Sequence, residues 1–172
     1  MNENDNNLRE KFHNLVNESE ITLGEVSDAD WEAVISIGTA AKMVGLSVSA
    51  LRKYENEGLL IFHRTPTQRR LLSRADVDRI RTIQYLINDV GLNMEGIRRI
   101  LALLPCWKLK PCPDEDHQKC LATNDHIRPC WMNNETECKA KGIDCRECNV
   151  YRYGAYATTV MKTLLHEKNK DL

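Results

Sequence analysis

The seven cysteines of this 172-residue chain are all confined to positions 106–148: Cys106, Cys112, Cys120, Cys130, Cys138, Cys145 and Cys148. Pro105-Cys-Trp107 is followed by Cys112, and Pro129-Cys-Trp131 is followed by Cys138, so a cysteine hook is repeated and then closed by Cys145-Arg-Glu-Cys148. Thiolates are soft ligands, and so dense a set points to a metal. The segment also has few aliphatic residues from which to build a core, a shortage that metals or crosslinks usually offset. The first expectation is an iron–sulfur cluster on four thiolates, with the Trp beside each leading Cys shielding it from water. The alternative is tetrahedral zinc, held by four thiolates or with His117 or His126 included. A dithiol switch at Cys145 and Cys148, and unliganded cysteines acting as small apolar groups, are the other readings. His117, in Asp114-Glu-Asp-His, and His126, in Asn-Asp-His-Ile, read as solvated loop residues rather than ligands.

A second set of residues suits contact with phosphate and base edges, and the elements that would carry it are legible upstream. Thr39 to Met43 reads as a short apolar helix, followed by a turn at Val44-Gly45-Leu46 in which Gly45 can take positive φ. Ser47 is an N-cap candidate for a second helix from Val48 to about Asn56. Val48 and Leu51 face inward there, leaving Ser49, Arg52 and Lys53 outside. This is a helix-turn-helix pattern whose second helix enters a major groove. Two apolar runs around Thr65-Pro66-Thr67 then predict a hairpin wing carrying Arg64, Arg69 and Arg70. Ser73-Arg-Ala-Asp76 predicts a capping box for a helix with Val77, Ile80, Ile83 or Gln84, and Ile87 inside. Asn93 caps a last helix with Ile97, Ile100, Leu101 and Leu104, and Pro105 argues against further helix. Leu46, Leu51, Leu59, Val77, Ile80, Ile97 and Ile100 are the expected core.

The string resembles the MerR (mercury-resistance-type) family of transcription regulators. The matching pieces are Ile37-Gly-Thr-Ala-Ala, Gly45-Leu-Ser-Val, Leu51-Arg, Tyr54-Glu, Gly58-Leu-Leu, Arg70-Leu, Ser73 with Asp76-Val, and Gly91-Leu with Ile97-Arg. The run Gly91 to Leu101 is most similar to the heat-shock-repressor branch. Lys53 stands where members often carry the first of two adjacent aromatics, and Leu72 where they carry a wing Tyr. The resemblance implies a winged helix-turn-helix domain over 35–104 that reads double-stranded promoter DNA as a homodimer and acts on RNA polymerase indirectly. The expected contact set is Thr39, Ser49, Arg52, Lys53, Tyr54 (near the DNA backbone), Arg64, Arg69 and Arg70.

Charge agrees with this division. Residues 1–34 hold 2 Lys/Arg against 9 Asp/Glu (−7), residues 35–104 hold 11 against 6 (+5), and residues 105–172 hold 11 against 10 (+1), for a net −1. Positive charge is concentrated in the DNA-reading unit. No apolar stretch approaches the roughly 20 residues of a membrane span, and the start lacks a secretory pattern, so a cytoplasmic, reducing setting without structural disulfides is expected. The acidic arm 1–34 carries one apolar stripe, Leu8, Phe12, Leu15 and Val16, and a second short helix is expected at Asp28 to Val34. Beyond the cysteines, Val150, Tyr153, Ala157, Val160 and Leu164 form a seam of coiled-coil spacing, which either pairs two chains or packs on its own cysteine module. The predicted fold is mainly α: arm 1–34, winged unit 35–104, Cys-rich module 105–148 and C-terminal helix 149–172. No phosphate loop or nucleophile elbow is present, which argues against an enzyme. A Cys-rich redox or electron-transfer protein with a DNA-targeting domain, and a constitutive regulator with a purely structural zinc, are the alternatives.

Overall fold

A computed structural model of the chain describes residues 28–110 and 112–155. The winged unit is built as its caps require. Helix α1 (Ile37–Val44) starts at Ser36, whose hydroxyl accepts from Thr39 N, and ends at Gly45 with φ 67°. Helix α2 (Val48–Asn56) starts at Ser47, whose hydroxyl accepts from Ala50 N. Strands β2 (His63–Arg64) and β3 (Arg70–Leu72) form the wing, and β1 (Ile35–Ser36) adds a strand that was not anticipated. The order is β1-β3-β2, antiparallel throughout, with Ile35 opposite Leu72 and Arg64 opposite Arg70. Helix α3 (Arg74–Asn88) opens with the full Ser73/Asp76 capping box, and α4 (Met94–Ala102) is capped by Asn93.

The chain does return to helix directly after Pro105, contrary to expectation: α5 (Cys106–Leu109) takes Pro105 as its N-cap. Proline's missing N–H costs nothing at a helix start. The module continues through α6 (Asp114–Lys119), a 3₁₀ turn at Leu121–Thr123, another at Cys130–Met132, α7 (Glu137–Ala140) and a 3₁₀ turn at Cys145–Glu147. Residues 149–155 are helical (α8). Upstream of the wing unit, Asp28–Trp31 forms one 3₁₀ turn rather than a helix reaching Val34. The stripe at 8–16 and the seam residues Ala157, Val160 and Leu164 lie outside the described residues.

One core serves both the winged unit and the cysteine module. Leu51, Leu59, Leu72, Val77, Ile80 and Ile97 are buried together with Leu109, Trp131, Val150 and Tyr151. Leu46 and Ile100, expected inside, are only half-buried. The module answers its shortage of aliphatic residues by borrowing the apolar face of its neighbour. Val150 and Tyr151 turn into this chain's own core, and Tyr153 meets the buried Trp31 edge-on at 6.3 Å.

Candidate nucleic-acid interface and thiol-lined cavity

Helix α2 presents Ser49, Arg52 and Lys53 outward, and Thr39 is exposed at the start of α1. The Ser49 hydroxyl shares a 2.8 Å hydrogen bond with that of Ser47, and Thr39 does the same with Ser36. Tyr54 is placed otherwise than expected. It is 7 % exposed, its ring belongs to the core, and burial raises the pKa of its phenol. The wing arginines divide. Arg64 and Arg70 both grip Glu55 of α2, at 2.6 and 2.9 Å, so they brace wing to recognition helix besides facing outward. Arg69 is exposed at the wing tip, a tight loop closed by Gln68 N to Thr65 O and by Arg69 N to Thr65 Oγ1. Arg69 is therefore the cleaner phosphate probe. Arg69→Ala is expected to weaken all DNA sequences alike and to flatten the salt slope by about one unit. Arg52→Ala is expected to cost about 1–3 kcal/mol and to relax preference at one base pair, as read by binding to an operator and its single-base variants.

Where α2 runs out, the chain turns at Gly58 and passes through Leu59, Leu60 and Ile61 to the wing. Gly58 has φ 72°, and a Cβ there would overlap the Met132 side chain. Two module residues and Tyr151 of α8 hold this linker and the start of α3. Trp131 Nε1 donates to the Gly58 carbonyl at 2.7 Å. The Tyr151 hydroxyl accepts from Ile61 N at 2.8 Å and donates to Asp76 Oδ1 at 3.3 Å. Arg146 Nη2 donates to Asp76 Oδ2 at 3.0 Å. Between them lies Arg79, 1 % exposed, donating to Leu59 O at 2.8 Å and to Tyr151 O at 2.7 Å. The rings of Tyr151 and Trp131 cover its guanidinium, 4.4 and 5.5 Å from their centroids. Burial and the Asp76 carboxylate push the Tyr151 phenol far above its ordinary range, so it stays a proton donor. Two carbonyl hydrogen bonds and two aromatic faces offset the cost of burying this charge.

Each anchor adjoins a cysteine in sequence: Trp131 follows Cys130, Arg146 follows Cys145, and Tyr151 lies three residues past Cys148. All seven cysteines line one cavity of about 50 Å³, several times the roughly 10–15 Å³ that one water occupies. No disulfide joins any of them. Trp131, Tyr151, Val150, Ala122 and Ile143 form apolar wall, and Lys110, His117, Thr123, Thr136 and Glu137 are its other polar or charged members. Trp131 is buried in the cavity wall. Trp107 is 37 % exposed and instead stacks on His117 at 4.6 Å. Burial, then repulsion from the neighbouring thiols, raises Cys106 to about 11 and Cys130 well above the usual thiol range. Burial likewise leads in raising Cys112, Cys145 and Cys148. Lys110 Nζ donates to Cys138 Sγ at 3.2 Å. Burial opposes the Lys110 charge, but this bond and the surrounding thiols outweigh it and its pKa is raised. Several thiolates could therefore coexist here only around further positive charge. Among the described residues, no three Cys, His, Asp or Glu side chains converge on a single point as a lone ion would need. The thiols ring a volume instead.

The MerR HTH regulatory-protein family model matches residues 35–104, the span of the winged unit with its exposed recognition helix. Residues 35–104 are a MerR-family helix-turn-helix domain. HspR of Streptomyces coelicolor, which carries a heat-shock protein's name, is 39 % identical over 70 residues, covering 41 % of this chain and 46 % of its own. The HTH-type transcriptional regulators GlnR of Bacillus anthracis and Bacillus cereus are each 40 % identical over 67 residues, covering 39 % of this chain and 51 % of theirs. The chain thus spans about half the length of the curated relatives it matches. The MerR unit here begins at β1 and closes with α4, and the cysteine module is built onto it. Among the described residues no helix is long and apolar enough to cross a membrane.

Proposed function

We propose that this chain is a MerR-type transcription regulator that reads promoter DNA as a homodimer, acts on RNA polymerase indirectly, and is controlled by a metal or redox group in its cysteine module. One observation carries the control part: the walls of the thiol-lined cavity are the same residues that hold the linker between recognition helix and wing. A group bound by the thiols presses on Trp131 and Tyr151, and through them on Gly58 and Ile61. Ligand binding in such small sites is coupled to local folding, so occupancy biases where the wing and α2 sit. Pairing of half-sites supplies the selectivity that one small unit lacks.

An iron–sulfur cluster suits the cavity better than a single zinc. The thiols surround a space with room for several atoms rather than meeting at one tetrahedral point. Zinc remains the second reading, favoured by the deep docking of the module, which a structural staple would also produce. The test is the visible spectrum of protein purified without oxygen, with iron, sulfide and zinc measured. Iron and sulfide in a brown protein support the cluster. A colourless protein with stoichiometric zinc rejects the cluster, and a metal-free, redox-silent protein rejects the control module altogether.

A further inference from the structure

We propose that His117 supplies a nitrogen ligand to the group held in the cysteine cavity, making its coordination mixed imidazole–thiolate. This rests on the reading above that the cavity holds a metal. The sequence reading favoured a solvated loop histidine, and the structure argues the other way. His117 lines the same cavity as the seven thiols. Its Nε2 is buried and has no hydrogen-bond partner among the described residues. A buried imidazole nitrogen left unpaired is an exception that needs a cause, and a bound ion is one of the few.

The ring is also held in place. It stacks on Trp107, one residue from Cys106, with ring planes 30° apart. Its backbone is fixed from both sides, by His117 N to Pro113 O at 3.0 Å and by Thr123 Oγ1 to His117 O at 2.9 Å. Helix α6 carries it between Cys112 and Cys120, so three donors reach the cavity from one short segment. The neighbouring Asp116 is engaged elsewhere, by Lys141 beside α7. His126 sits on an exposed loop outside the cavity. Glu137 is the carboxylate that shares the cavity wall and is the competing non-sulfur donor. Imidazole is a good ligand for iron and zinc alike and binds through whichever nitrogen is left free.

The experiment uses the full chain, loaded without oxygen either with Fe²⁺ plus sulfide or with Zn²⁺ alone, and measures X-ray absorption at the edge of the bound metal. The wild type is expected to show sulfur neighbours plus the multiple-scattering pattern of one imidazole, at about 2.0–2.1 Å where zinc is bound. His117→Cys should retain metal in an all-sulfur shell. His117→Ala should lose the imidazole pattern and bind metal more than about tenfold more weakly, since even outer partners of ligands are worth 10–100-fold. A sulfur-only wild-type shell, a light neighbour without imidazole scattering, or an imidazole signal that persists in His117→Ala overturns the His117 assignment while leaving the thiol site standing. Retention of neither metal overturns the thiol site and His117 with it.

Discussion

Asp76→Ala is expected to be the most destabilising single change in the joined core, at about 3–5 kcal/mol. The Asp76 carboxylate is fully buried and accepts from Ser73 N at 2.9 Å, Ser73 Oγ at 2.8 Å, Arg146 Nη2 at 3.0 Å and the Tyr151 hydroxyl at 3.3 Å. Removing it breaks the reciprocal half of the α3 capping box, a loss of about 1 kcal/mol, while the Ser73 hydroxyl still caps the residue-76 backbone N–H. It also leaves Arg146, 9 % exposed, without its anion. Breaking a buried pair from one side costs far more than the pair contributes, because the remaining charge stays desolvated. Urea unfolding followed by circular dichroism checks this. A loss near 1 kcal/mol, no more than a cap, would show that the Arg146 and Tyr151 contacts contribute nothing.

The second large effect is expected at Trp131. Its indole is 6 % exposed, donates to Gly58 O, meets Tyr151 edge-on at 5.4 Å and lies over Arg79. Trp131→Ala should cost about 3–5 kcal/mol through the lost packing and the hole left behind, and the unpaired Gly58 carbonyl adds to it. The cost falls on docking of the module rather than on the winged unit itself. Amide exchange at Leu59–Ile61 should therefore quicken while the centre of α3 stays protected. Trp107, stacked at the outer edge and 37 % exposed, is the control and should cost much less when truncated. Equal protection of the 59–61 amides in wild type and Trp131→Ala would mean the module does not hold the linker.

How far the sequence reached depends on how local each determinant is. Ser47, Ser73 and Asn93 announce their helices because a cap bonds within three residues, and Gly45 because its turn needs positive φ. Strand β1 escaped because two residues carry no period to detect. Asp76 was legible as a cap and not as the hub it is, since Arg146 and Tyr151 lie 70 and 75 residues away. Arg79 carried a signal that periodicity discards: a cation beside Ile80 on a helix whose other buried residues, Asp76 apart, are apolar. The cysteine spacing marked a thiol-rich segment but not its depth, because the cavity walls, all within residues 106–151, are held against the winged unit by bonds spanning 73 and 90 residues. Acidic neighbours make His117 read as a solvated loop residue; it lies on α6, half-buried, with its Nε2 out of solvent.

The central claim is that one module both holds the thiol site and sets the geometry of the DNA reader. Its most direct test is binding of the full-length protein to its operator in metal-loaded and metal-free forms, at one salt concentration. Coupling between two sites typically amounts to about 1–3 kcal/mol. The expected result is thus a 5- to 150-fold difference in affinity between the two forms, lost in Trp131→Ala. Equal affinity and equal DNA distortion in both forms of the wild type would contradict the claim and leave the cysteine module a structural staple.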